Sequence, residues 1–222
     1  MGMTDVKGSS RRGRRPQTAH EAEQARASIV AATADVFAET GSRGMSVALI
    51  LDAAGISRPT FYRYFANAEQ PLNVLLEESD RDLVGGVVGA IDAATDDIAM
   101  TVSVIDAYIG WALARGKLLG PLFSELYDRS SSPVSLHRAE ALDRIRAAVV
   151  RRMIELGRAA PNPTALDALV NACEFLVYRA VSLGGTTDLT ADARSMMIRI
   201  AVVTIGEPDD VRMALQIPGL FG

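Results

Sequence analysis

An all-α fold is predicted by three observations. Apolar residues recur at three- and four-residue spacings almost throughout the 222-residue chain. Alternating apolar and polar runs bounded by tight hairpin turns, the signature of strands, are missing. The helical pattern breaks at Gly41, Gly55, Gly116, Pro133, Pro161 with Pro163, Gly184-Gly185 and Pro208, residues of the kind that end helices. With 49% apolar residues the chain can bury a sizeable core, as one large domain or as a small domain joined to a larger one.

The first helix is expected to open at Thr18, whose hydroxyl can cap a free N–H while Glu21 reciprocates, and to close at Gly41. Ala25, Ile29, Thr33, Val36 and Phe37 share one of its faces. Ser46 is a natural N-cap for a short second helix with Ile50, Leu51 and Ala54 inward, and Gly55 supplies the left-handed turn that stops it. Ser57 then caps a third helix running from Arg58 to about Phe65. Pro59 lies in its first turn, where a missing N–H breaks no bond. Phe61 and Phe65, one turn apart, anchor this helix and leave Arg58, Thr60, Tyr62, Arg63 and Tyr64 to point outward or sideways. Beyond Asn67 the spacing of Leu72, Leu75, Leu76, Ser79 and Leu83 marks a long helix, loosened at Gly85-Gly86. Further helices are expected over 97–115, 118–129, 134–158, 164–184 and 190–206, with a short helical turn after Pro208.

The net charge of −4 hides an asymmetry. Residues 1–66 carry nine Lys/Arg against six Asp/Glu, whereas residues 67–222 carry fourteen against twenty-one. Five of the N-terminal cations, Lys7, Arg11, Arg12, Arg14 and Arg15, fall in the first fifteen residues among Gly, Ser and Pro, which reads as a flexible basic arm. That arm is either a solvated tail or a phosphate or minor-groove contact. The single Cys173 can form no internal disulfide and no secretory leader is apparent, so a cytoplasmic protein is expected. The longest apolar stretch, Ile98 to Leu113, is shorter than the roughly 20 residues of a spanning helix, so no membrane span is expected. His20 and His137 stand in no metal-ligand spacing and read as solvated helix residues. Neither a Gly-rich phosphate loop nor a G-x-S-x-G elbow occurs, so no enzyme, metal or cofactor is expected.

A short helix, a glycine turn and a third short helix exposing Arg, Thr and Tyr form the arrangement that a DNA-reading helix-turn-helix needs. The major groove, about 12 Å wide, admits one helix; arginine can bond guanine bidentately, and hydroxyls can reach phosphates or base edges. Two arginines and two neighbouring tyrosines around a two-phenylalanine anchor favour this over a bundle corner with incidental surface aromatics. A helical protein-interaction module is the remaining alternative.

The run Ala53-Ala54-Gly55-Ile56-Ser57-Arg58-Pro59-Thr60-Phe61-Tyr62-Arg63-Tyr64-Phe65 resembles the helix-turn-helix signature of the tetracycline-repressor (TetR) family, closely over about residues 24–76. After the flexible basic arm, taken as 1–17, the resemblance implies a three-helix helix-turn-helix DNA-binding domain at 18–66 and a larger helical ligand-sensing and dimerisation domain at 67–222. It implies that Ser46 touches phosphate, that Arg58, Pro59, Thr60, Tyr62, Arg63 and Tyr64 face the groove and its rims, and that Phe61 and Phe65 are structural. The chain departs from the family at Ala68, where a phosphate-contacting lysine usually stands, and at Pro71, awkward so near a helix start; Arg14 and Arg15 of the arm can offset the lost contact. The function implied is a homodimeric transcriptional regulator, a repressor or a TetR-like activator, on palindromic double-stranded operator DNA. The family favours repression, with release by a small lipophilic or cationic amphipathic effector. The last two large helices would form the dimer interface, with Leu166, Leu169, Val170, Cys173 and Val177 on one apolar face and Met196, Met197, Ile200 and Val203 on the other. A monomer core would carry the same pattern.

For the effector site, the helix from Ile98 to Leu113 is apolar nearly all round and is expected to be buried, which makes Asp106 conspicuous. With Tyr108, Trp111, Phe123, Tyr127 and Tyr178 it could line a largely apolar cavity holding a few polar groups. The same aromatics serve equally as ordinary core, and Asp106 could pair with Arg144 or Arg179 instead of a cationic ligand. Asn171, Glu174 and Tyr178 share a helical face and the same ambiguity.

Overall fold

In a computed structural model of the chain, residues 18–127 and 133–216 are described, and among them there are ten helices and no strand. The arm with Arg14 and Arg15, and the tail from Ile217 to Gly222, lie outside the described residues.

Helix α1 (Ala19–Gly44) opens on the expected reciprocal cap: Glu21 N–H donates to Thr18 Oγ1 at 3.2 Å and Thr18 N–H to Glu21 Oε2 at 2.8 Å. Its regular part closes at Gly41, as expected. That residue, at φ 65° and ψ 178°, breaks the helix in a region only glycine enters readily, and one further turn follows. The backbone freed by the break is satisfied from outside, because Glu125 accepts both the N–H of Ser42 (2.7 Å) and its hydroxyl (2.8 Å).

Helix α2 (Val47–Ala54) is capped by Ser46, whose Oγ accepts from Leu49 N–H, and it ends on left-handed Gly55 at φ 63°. Helix α3 (Arg58–Tyr62) is shorter than expected. After Phe61 the chain tightens into a turn in which Phe61 O accepts from the N–H groups of Tyr64 (2.9 Å) and Phe65 (3.1 Å). Nor does Ser57 cap it, since its hydroxyl pairs with that of Thr60 at 2.9 Å. Helix α4 (Glu69–Ala93) passes unbroken through Gly85 and Gly86, correcting the expected loosening there. Pro71 is buried in its first turn, where no N–H is required, so the awkwardness disappears. Asn67 and Gln70 bracket that start, Gln70 N–H donating to Asn67 Oδ1 (3.0 Å) and Ala66 N–H to Gln70 Oε1 (2.7 Å).

The remaining helices are α5 (Asp97–Arg115), α6 (Leu119–Tyr127), α7 (Pro133–Glu155), α8 (Pro163–Ser182), α9 (Thr187–Ile205) and α10 (Pro208–Ala214), with a 3₁₀ turn at Gly116–Leu118 between α5 and α6. Helix α4 lies against α5 and α7, and α8 lies against α9.

Three apolar clusters organise the chain. Ile29, Val30, Val36, Ile50, Phe61 and Phe65 form a small N-terminal core, and Val74 and Leu75 of α4 pack onto it. A larger core runs through α4, α5, α6, α7, α8 and α9 and includes Leu83, Val87, Ile91, Ile109, Phe123 and Met197. Between them Phe37 of α1, Leu72 and Leu76 of α4 and Val134 of α7 form a joint. Because α4 contributes to all three, motion of that helix is felt in each.

Helix α5 is not buried all round, since Ile98 is 59% and Leu113 44% exposed while Met100, Ile105, Tyr108, Ile109 and Ala112 face the core. Taken together with the turn and α6 that follow it, the stretch Asp97–Glu125 is long and apolar enough to cross a membrane by length and composition. The sequence expectation considered only Ile98 to Leu113 and missed this continuation. The described fold packs one side of the stretch into the larger core.

Candidate nucleic-acid interface and internal cavity

The third helix is held from below and bare above. Phe61 is fully buried and Phe65 nearly so, their ring centroids 6.0 Å apart, and Arg26 of α1 lies over the Phe65 ring at 5.4 Å. This anchoring leaves Arg58, Pro59, Tyr62 and Arg63 exposed on one surface, with Ser46 exposed at the start of α2. Tyr62 is 48% exposed and meets the Phe61 ring edge-on, so its ring is positioned while its hydroxyl stays free to reach outward. Two members of the expected set sit differently. Thr60 is half-buried with its hydroxyl engaged by Ser57, and half-buried Tyr64 packs its ring on the N-terminal core beneath the Arg63 guanidinium (5.0 Å).

A second feature lies inside the larger core. A cavity of about 110 Å³ opens between α5, α7, α8 and α9, walled by Met100, Ile105, Val149, Leu166, Leu169 and Met197 among others. Its polar residues include Tyr108, Arg138 and Glu174. Arg138 Nε donates to Glu174 Oε1 at 2.7 Å, Nη2 contacts the same carboxylate, and Nη2 also donates to Tyr108 Oη at 3.3 Å. The guanidinium lies 5.6 Å from the Tyr108 ring centroid and 5.3 Å from that of Trp111, and these two rings stack 5.8 Å apart. Burial raises the Tyr108 pKa, so the phenol stays protonated, and burial followed by the Glu174 charge pushes the Cys173 thiol up to about 12.

Of the residues expected at an effector site, Tyr108 and Glu174 line this cavity. Trp111 stands behind Tyr108 with its Nε1–H donated to Ser79 O at 3.0 Å. Phe123 is core, stacked on half-buried Tyr178 at 5.3 Å. Asn171 is exposed and donates to Asp167 O, so it does not join Glu174. The side chain of Tyr127 lies outside the described residues. Asp106 is the clearest correction. It is exposed and bound by Arg194 Nε (2.5 Å) and Nη2 (3.0 Å), not by Arg144 or Arg179, because α5 turns this position away from the core toward α9. Arg138 and Cys173 were not expected at the cavity. Arg138 interrupts the buried stripe Val134, Ala141, Ile145, Ala148 and Val149 of α7, and a charge on an apolar stripe is a readable signal. His137 is not simply solvated, as its Nδ1 lies 3.7 Å from Asp80 Oδ2.

The two helices expected at a dimer interface also need sorting. Leu166, Leu169 and Val177 of α8 and Met197 of α9 are buried in the chain's own core, Val177 at 2% exposure. The apolar residues they leave uncovered are Phe175, Met196 and Val203. Among the described residues no group of three or more His, Cys, Asp or Glu is placed to hold a metal ion.

Residues 29–70 match the family model described as bacterial regulatory proteins, tetR family. The HTH-type transcriptional activator FasR of Mycolicibacterium smegmatis is 27% identical over 101 residues, which span 46% of this chain and 44% of that relative, so the match reaches under half of the relative's length. The fold is similar to that of FadR from Bacillus subtilis, a transcriptional regulator solved in complex with stearoyl-CoA, at TM-score 0.63 and 20% identity over 82% of this chain and 98% of that one. It is also similar to SmeT, the repressor of a multidrug efflux pump of Stenotrophomonas maltophilia, at TM-score 0.62 and 20% identity over 87% and 94%.

Proposed function

We infer that this chain, which belongs to the tetR family of bacterial regulatory proteins, acts as a cytoplasmic homodimeric repressor that reads a palindromic operator with α3 and is released by a lipophilic small molecule. One observation carries the reading: Arg58, Pro59, Tyr62 and Arg63 stand exposed on a helix whose other side is fixed by Phe61 and Phe65. A surface so anchored can enter the major groove without distorting its own domain. Ser46 supplies a phosphate contact, and Thr60 and Tyr64 support the reading surface more than they join it. Arg14 and Arg15 remain part of the proposal as contacts made by the arm. A recognition helix of five residues reads few bases, so specificity requires two copies. Phe175, Met196 and Val203 are the apolar surface with which α8 and α9 would pair with their copies.

The cavity favours a lipophilic effector, as its walls are almost wholly apolar and its Glu174 charge is already matched by Arg138. The case for a cationic effector rested on Asp106, which is exposed and paired with Arg194. Stearoyl-CoA, named in the similar FadR structure, carries an acyl chain of the kind that such apolar walls would accept. Activation is the second reading, favoured by the name of the relative FasR.

The proposal is tested by titrating the protein against duplex DNA across a salt series. Affinity should fall linearly on a log–log plot, since neutralised phosphates release counterions; six phosphate contacts would lose about 10³-fold between roughly 50 and 200 mM salt. A flat salt response would instead mark the helix-turn-helix as a protein-contact surface.

A further inference from the structure

Below α4 lies a second, smaller cavity of about 20 Å³, bounded by residues of α4, α5, α6 and α7. Three of its lining residues carry a buried polar atom without a hydrogen-bond partner: Ser79 Oγ, Asp80 Oδ2 and Arg138 Nη1. Their chemistry is complementary. The guanidinium nitrogen only donates, a carboxylate oxygen only accepts, and the serine hydroxyl does either. A space of about 10 to 15 Å³ suffices for one water, which needs two to four polar partners. This chamber offers both the volume and three partners. An apolar void of this size would stay dry, but this one would leave Arg138 Nη1, Ser79 Oγ and Asp80 Oδ2 without a hydrogen bond, the last with only His137 Nδ1 beside it at 3.7 Å.

Arg138 also belongs to the wall of the larger cavity, where its Nε and Nη2 hold Glu174 and Tyr108. One rigid planar group therefore borders both spaces. Ser79 and Asp80 lie on α4, the helix that begins just after the anchor Phe65. We propose that a water molecule occupies the small chamber, bonded to Asp80, Ser79 and Arg138, and that through it Arg138 transmits occupancy of the larger cavity to α4. The proposal rests on the reading of the larger cavity as the effector site. An occupant that shifts Glu174 or Tyr108 tilts the guanidinium, and the water bridge passes that tilt to α4.

A tethered occupant tests both readings separately. Cys173 is the only cysteine of the chain and lines the larger cavity. Its thiolate attacks the sulfenyl sulfur of benzyl methanethiosulfonate, forming a benzyl mixed disulfide and releasing methanesulfinate. Alkaline conditions favour the reaction because burial raises the thiol pKa to about 12. Completion is read by mass, and a reductant reverses it. Affinity is then measured by fluorescence anisotropy on the duplex that unlabelled wild type selects from a random pool. Labelled wild type should bind about 5- to 150-fold more weakly than unlabelled, the usual range of couplings. Labelled Asp80→Leu, whose side chain cannot hold the water, should lose less than about 3-fold, whereas labelled Asp80→Asn should respond as wild type does. Ser79→Val fills the chamber from the same helix and should behave as Asp80→Leu, which covers the case that one variant does not fold. If labelled Asp80→Leu and Ser79→Val weaken as much as wild type, the relay is wrong and the cavity reading stands. If labelled wild type binds as tightly as unlabelled, the cavity reading falls and the relay with it. A crystal structure with no water peak bonded to Asp80, Ser79 and Arg138 would overturn the solvent site itself.

Discussion

At the scale of single residues, Arg58 and Asp80 make opposite demands on their surroundings. Arg58 is exposed on a helix anchored by Phe61, so it can contribute to binding without contributing to folding. Arg58→Ala should weaken binding to a selected duplex by about 1 to 3 kcal/mol, the worth of a bidentate base contact, with an unchanged melting temperature. Wild-type affinity in that gel shift would remove Arg58 from the interface. Asp80 is a partly buried carboxyl whose pKa is raised, chiefly by burial, with Arg138 and His137 pulling it down, Glu140 pushing it up and Arg144 lowering it. The folded chain therefore holds the Asp80 proton to higher pH than the unfolded chain does. Below the ordinary aspartate value both states are protonated and the residue is neutral to stability; as pH rises past it, the unfolded state ionises first and stability is lost until the folded-state value is passed. Asp80→Asn cannot ionise, so its stability relative to wild type should grow between about pH 4 and pH 7 in urea denaturation. A constant difference across that range would contradict the assignment. Both residues show what a sequence can reveal. Arg58 was legible because a proline in the first turn and two phenylalanines at helical spacing fix its direction locally. Asp80 was not, because it owes its burial to a helix distant in sequence, and Arg138 showed only as a charge on an apolar stripe, without the partner that the stripe packs against.

Among the elements, the helix ends were legible and the helix faces less so. The caps at Thr18, Ser46 and Gly55 depend on neighbours within a few residues, and all three stand as expected. Gly41 ends the regular part of α1, but the turn beyond it was not legible, because Ser42 is taken up by Glu125, 84 residues from Gly41. Asp106 shows the same limit. A helix apolar on most sides does not declare which side its neighbours will cover, and α5 gave Asp106 to Arg194 and the surface. The pairing of α8 with α9 divided their apolar residues into an inner set, with Val177 and Met197, and an outer set, with Phe175, Met196 and Val203. If the outer set is the dimer face, Val203→Glu combined with Phe175→Glu should give a folded monomer by sedimentation. Val177→Glu should instead destabilise the chain itself, because it buries an unpaired charge in the larger core. A wild type already monomeric at micromolar concentration would refute the dimer.

On the scale of the whole molecule, α4 is the structural link. It carries Leu72 and Leu76 at the joint, Ser79 and Asp80 beside Arg138, and Leu83, Val87 and Ile91 in the larger core. A ligand that favours one placement of α4 would change the separation of the two α3 helices in a dimer. Linkage then requires operator and ligand to weaken one another by the same factor. The most direct measurement is selection of bound duplexes from a random pool by wild-type protein, with Arg58→Ala run in parallel. The account predicts one enriched sequence with two-fold symmetry, its half-sites one helical turn of about 34 Å or a multiple apart, and loss of enrichment in the variant. Recovery of no preferred sequence, or of the same unsymmetrical set by both proteins, would contradict it.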